Sequence, residues 1–138
     1  MATTTTVSND VTRIVRKTET INSNTTLTEA DSGKVFFITE PSDASQVITL
    51  PAEKAGITFK FICSVDLTNT ITIDSATDAN IEGELIVNGG SVPAADEDNI
   101  KFVGAAADQG DFVEFECDGT HWYVYGIATA AGAITANT

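Results

Sequence analysis

The sequence predicts an all-β protein: an antiparallel β-sandwich, jelly-roll-like or closed as a small barrel, of about eight strands. Three observations carry that prediction. Short runs rich in Val, Ile, Phe, Thr and Tyr alternate apolar and polar residues, the period-2 signature of a half-buried strand. Clusters of Gly, Asn, Asp, Ser and Pro separate the runs at short spacing. No stretch keeps the apolar period of an amphipathic helix.

Residues 1–26 are rich in Thr, Ser and Asn and hold one alternating stretch, "VTRIVRK". Its two sides carry Val11, Arg13 and Val15 against Thr12, Ile14 and Arg16, and neither is cleanly apolar. Such a strand needs another surface to cover it. It reads either as an edge strand of the domain or as an arm that docks on a partner.

The domain proper spans 27–128. "KVFFIT" follows the turn "ADSG", "QVITLP" follows "EPSDAS", and "ITFKFICSV" follows "AEKAG". "TITIDS" follows "DLTN", and "IEGELIV" leads into a loop, "NGGSVPAADED". "IKFVG", "DFVEFE" and "HWYVYGIA" complete the series. Residues 129–138 are small and polar, as in a loose tail. No internal repeat of fixed period stands out.

The segment "GDFVEFECDGTHWYVYG" holds the only Trp, both Tyr, the only His and one of two Cys. A two-residue turn at Asp118 and Gly119 makes it a hairpin. Cys117 then opposes Thr120, Phe115 opposes Trp122, and Val113 opposes Val124 on an apolar face. Glu116 opposes His121, Glu114 opposes Tyr123, and Phe112 opposes Tyr125 on a mixed face that leaves Tyr123 and Tyr125 exposed. In "TFKFICSV", Phe59, Phe61 and Cys63 share the inner side. Both Cys63 and Cys117 therefore read as core thiols, although a bridge between them stays open at this level.

Charge narrows the range of partners. The 138-residue chain carries 20 acidic and 7 basic residues, a net charge of −13. Arg13, Arg16 and Lys17 hold three of the seven positive charges near the start. The acidic body repels phosphate backbones and anionic lipid, so neither nucleic acid nor membrane is an expected partner. No run approaches a membrane span, and "MATTTTVSND" lacks the charged and apolar regions of a secretory signal. Synthesis in a reducing cytoplasm is expected, with the sequon at Asn24 a chance match.

Little in the chain points to catalysis. Any Cys–His or Ser–His–Asp mechanism must use His121, and Cys117 faces the other side of the sheet. No nucleophile-elbow, zincin or phosphate-loop pattern occurs. "DANIEGE", from Asp78, echoes an EF-hand loop but puts Gly89 where the bidentate Glu belongs. The acidic run Asp96, Glu97 and Asp98 reads as a solvated loop. No catalytic residue, metal or cofactor is expected, and the protein reads as non-enzymatic.

The succession "LTEADSGKVFFI", "VITLPAEKAGITFKFI", "NTITIDSATDANIEG" and "GDFVEFECDGTHWYVYG" resembles β-sandwich modules on the virion surface of tailed bacteriophages. The likeness spans roughly residues 27–128, carried by "DSG", "ITLP" and "GD" followed by "DGTHW". It implies a binding or assembly protein without catalysis, usually homotrimeric. Its most similar type is the capsid decoration (cement) protein, made in the host cytoplasm and bound to the major capsid protein on the outer head surface. The chain reads as a whole small domain without a fibre shaft, which favours decoration. The alternative is a head-fibre or tail-fibre tip module that binds host glycan through Tyr123 and Tyr125. Charge asymmetry assigns Arg13, Arg16 and Lys17 to capsid docking.

Overall fold

The computed structural model describes residues 15–40 and 44–138. Twelve strands appear among them: β1 (Thr18–Ile21), β2 (Thr25–Thr26), β3 (Val35–Ile38), β4 (Gln46–Thr49), β5 (Thr58–Cys63), β6 (Ile71–Asp74), β7 (Ile81–Val87), β8 (Gly90–Glu97), β9 (Asn99–Phe102), β10 (Phe112–Cys117), β11 (Trp122–Ala128) and β12 (Ile134–Asn137). A single 3-10 turn, Glu29–Asp31, lies between β2 and β3. Two sheets pack face to face as a β-sandwich. One has seven strands in the order β1-β3-β5-β10-β11-β7-β8, the other five in the order β12-β9-β6-β4-β2.

The first six strands alternate between the sheets. Consecutive strands therefore do not form hairpins; strands two apart in sequence become neighbours and run parallel, as β1 with β3, β3 with β5, β2 with β4 and β4 with β6. This half of the chain winds as a flattened spiral. The hairpin of β10 and β11 then fits between β5 and β7, antiparallel to β5 and parallel to β7. The expected antiparallel sandwich is thus corrected to a mixed one. The Gly-, Asn- and Asp-rich segments between the early strands are corners joining two sheets, a role with the same local chemistry as a hairpin tip.

Alternation places the core as expected. Phe59, Phe61, Phe115, Trp122 and Val124 are all buried. Phe36 stacks on Phe61 with ring centroids 5.3 Å apart, Phe59 stacks on Trp122 at 5.9 Å, and Phe115 meets Phe61 and Trp122 edge-on. These quadrupole-compatible geometries add to the area the rings remove from water.

Three segments differ from the sequence reading. Asn88 and Gly89 do form a turn, with φ of 51° and 75°, but the residues after it continue as β8 rather than as a loop. β8 is an edge strand, which tolerates Pro93 and carries Asp96 in a left-handed conformation. The last ten residues are no loose tail: β12 closes the second sheet against β9, with Ala133 and Ile134 buried. The β10–β11 register also differs, pairing Cys117 with Trp122, Phe115 with Val124 and Glu116 with Tyr123. The connection is longer because the Asp118 carboxylate accepts the amides of Thr120 and His121, both at 2.8 Å. A slip of two residues preserves parity, so every side chain keeps its expected face.

Glu40 ties β3 to the corner before β6. Its carboxylate accepts from Thr68 N at 2.8 Å, Thr68 Oγ1 at 2.6 Å, Asn69 N at 3.0 Å and Asn69 Nδ2 at 2.9 Å. Burial pushes its pKa up, but these bonds outweigh it and hold the group below its ordinary 4.5. A lowered folded-state pKa gives stability that is present above the ordinary value and lost as pH falls through the folded one. Glu40→Gln is therefore expected to lower the urea midpoint at neutral pH, and its gap to the parent should close below pH 4.5. A gap that is constant with pH would show that the charge contributes nothing.

Candidate functional site

The outer face of the seven-stranded sheet is built one residue per strand. Register aligns Phe37 of β3 with Ile62 of β5, Ile62 with Phe112 of β10, Phe112 with Ile127 of β11, and Ile127 with Ile86 of β7. These five outward side chains form one apolar row across the sheet. At the usual strand spacing the row is ~19 Å long. Phe37, Ile62, Phe112 and Ile86 are partly buried, and Ile127 is 39% exposed. Two positions beyond the row, Thr39, Ser64 and Thr129 leave that rim small and polar.

The other rim is charged and aromatic. Its first line runs Lys60, Glu114, Tyr125, Glu84, and its second Thr58, Glu116, Tyr123, Glu82. Lys60 bonds Glu114 at 3.0 Å and lies 4.6 Å from the centroid of the Phe112 ring. Tyr125 meets Phe112 edge-on at 6.4 Å. The Tyr123 hydroxyl donates to Asp118 at 3.1 Å. The amides of His121 and Thr120 lower the Asp118 pKa, and the hydrogen bond to that carboxylate raises the Tyr123 pKa.

A groove of about 280 Å³ opens on this rim, lined by Arg16, Thr58, Lys60, Glu114, Glu116, Tyr123 and Tyr125. Arg16 and the two tyrosines, assigned separately from sequence, thus share one concavity. Tyr123 and Tyr125 are 47% and 48% exposed. Lys17 is exposed away from the groove lining, and its carbonyl accepts the amide of Val35. Arg13 lies outside the described residues. The apolar row itself was not anticipated. Each member is an ordinary outward residue of its own strand, and only the pairing of distant strands reveals the line.

The opposite outer face has a different character. On the five-stranded sheet, Thr49, Asp74, Asn99 and Asn137 form one cross-strand line, and Val47, Thr72, Lys101 and Thr135 the next. Hydroxyls, amides and charges dominate it. The sandwich is therefore two-sided, with an apolar row on the outer face of one sheet and a largely polar outer face on the other.

The imidazole and the two thiols lie apart. His121 sits in the connection after Asp118, its ring 6.4 Å from that of Tyr123, and its expected neighbour Glu116 pairs with Tyr123 instead. Cys63 and Cys117 are free thiols buried on the inner side. Burial, then the charges of Asp111 and Asp108, push the Cys63 thiol up to about 12. Native protein is expected to resist an aromatic disulfide reagent at pH 8 and to label at both cysteines once unfolded. Rapid labelling of folded protein would contradict their burial.

Among the described residues no three His, Cys, Asp or Glu side chains gather into a metal-holding group. A second concavity, about 540 Å³, opens at one end of the sandwich over Leu27, Leu50, Pro51 and Ile57, where Lys54 pairs with Glu29. No protein-family model and no curated protein matches the chain.

Proposed function

We propose that the protein is a non-enzymatic virion component of a tailed bacteriophage, a capsid decoration protein that docks on the major capsid protein and stabilises the head. The apolar row across the outer face of the seven-stranded sheet carries this reading. Contact through that face leaves the polar five-stranded sheet as the new exterior. The net charge of −13 keeps copies apart in the host cytoplasm before docking. A homotrimer engaging several lattice points would gain avidity through effective concentration, so each contact can stay modest.

Cosedimentation with capsids stripped of the protein tests the reading. Ile127→Asp puts a charge into the row at its most exposed member and is expected to lower occupancy about tenfold. Full occupancy by Ile127→Asp, or no binding by the parent chain, would overturn the reading.

The groove favours one alternative. Exposed Tyr123 and Tyr125 beside Arg16 and Glu116 form an aromatic, hydrogen-bonding lining suited to a sugar ring, as a head-fibre or tail-fibre tip would need. Glycan-array binding that Tyr125→Ala abolishes, without capsid binding, would favour it.

A further inference from the structure

A half-buried apolar row with Ile127 exposed on it invites two kinds of occupant, a second copy of the chain or a different polypeptide. Charge separates them. Beside the row stand Glu82, Glu84, Glu114 and Glu116, offset by Lys60, already bonded to Glu114, and by Arg16 at the margin of the groove. A second copy laid face to face about an axis along the strands would bring these carboxylates against their own equivalents. About an axis along the row it would bury them against Thr39, Ser64 and Thr129, which carry no positive charge to offset the lost water.

The lining of the groove also suits a cationic group. Glu114, Glu116, Tyr123 and Tyr125 line it, with Arg16 at its margin. Carboxylates supply charge-assisted bonds to a guanidinium, and tyrosine rings supply a face for it to stack on. Geometry adds a spacing. Along each strand the apolar row and the two acidic–aromatic lines are successive outward positions, about 7 Å apart. On the far rim the small residues Thr39, Ser64 and Thr129 leave room for a backbone to come close.

We infer that this face takes an extended segment of a different protein, one that sets an aliphatic side chain on the row and arginines two and four residues further on over the acidic–aromatic lines. This rests on the docking reading above and names the chemistry of the capsid surface it requires. Such a segment pairs apolar area with Ile127 and Phe112 and offers positive charge to Glu84, Glu116 and Glu82.

The test uses a defined probe, acetyl-Ile-Thr-Arg-Thr-Arg-amide, titrated into the full-length isotope-labelled chain and followed by amide chemical shifts. Shifts are expected at Glu84, Glu116, Tyr125 and Ile127, and none with the counterpart in which glutamate replaces arginine. The combined variant Glu82→Gln, Glu84→Gln, Glu116→Gln is expected to bind the probe about tenfold more weakly. Equal response to both peptides, equal shifts across the polar face of the other sheet, or unchanged affinity in the combined variant would overturn the inference. So would an oligomer of the chain alone that Ile127→Asp dissociates, since the occupant would then be a second copy. Failure to bind stripped capsids, with the peptide result intact, would instead remove the decoration role.

Discussion

Trp122→Ala is expected to lower the unfolding free energy by about 3–5 kcal/mol. The indole is fully buried, stacked on Phe59 at 5.9 Å and edge-on to Phe115 at 6.4 Å. Its removal leaves a cavity between the two sheets, and the surrounding rings are held by strands paired on both sides. Trp122→Phe should cost far less, under about 2 kcal/mol. The indole Nε1 has no hydrogen-bond partner among the described residues, so its loss breaks no bond. Trp122 is the only tryptophan, so urea unfolding must be followed by circular dichroism rather than indole fluorescence. A change under about 1 kcal/mol for the alanine variant would mean that the ring does not fill the core.

Gly83→Ala should be nearly as damaging, by about 3 kcal/mol or more. Gly83 has φ of +141°, a region that side chains avoid, and a Cβ built there would stand 2.0 Å from the carbonyl oxygen of Val124. The glycine marks the irregularity where β7 shifts register against β8. β11 flanks it on one side and β8 on the other, so neither neighbour can withdraw without losing ladder bonds. Gly89→Ala is the natural control. Its φ is also positive, at +75°, but open space surrounds it, so only the backbone penalty of about 1–2 kcal/mol applies. Equal losses at the two sites would remove the close approach as the cause.

The comparison of sequence with structure divides along the range of the interactions. Strand identity was local and legible. Each of the eight runs named from "KVFFIT" to "HWYVYGIA" contains a strand, and alternation told the inner Phe59, Phe61 and Trp122 from the outer Tyr123 and Tyr125. The β10–β11 register slipped by two because Asp118 can cap a four-residue connection as readily as it can sit in a two-residue one. β8 and β12 were hidden by composition. Gly, Pro, Ala and Asp signal loops, yet an edge strand accepts them when a neighbour supplies the ladder. The parallel pairings were illegible for a different reason. Nothing within "QVITLP" says that its partners are "TITIDS" and the short β2 rather than the strands on either side of it. The apolar row inherits that difficulty, being a line of single residues drawn from five such strands.

The spiral has a consequence for how the molecule is made. While the chain leaves the ribosome, β5 and β7 have both emerged before the hairpin that belongs between them. Until β10 and β11 arrive, the larger sheet exists as two fragments with bare inner margins, and the newborn chain presents unpaired strands to its neighbours. Closure must wait for residues near the carboxyl end, so the final step joins segments remote in sequence and is slow by nature. Stop codons that remove β11 should yield insoluble fragments rather than smaller folded proteins, and tags are better placed ahead of residue 15 than inside the last forty.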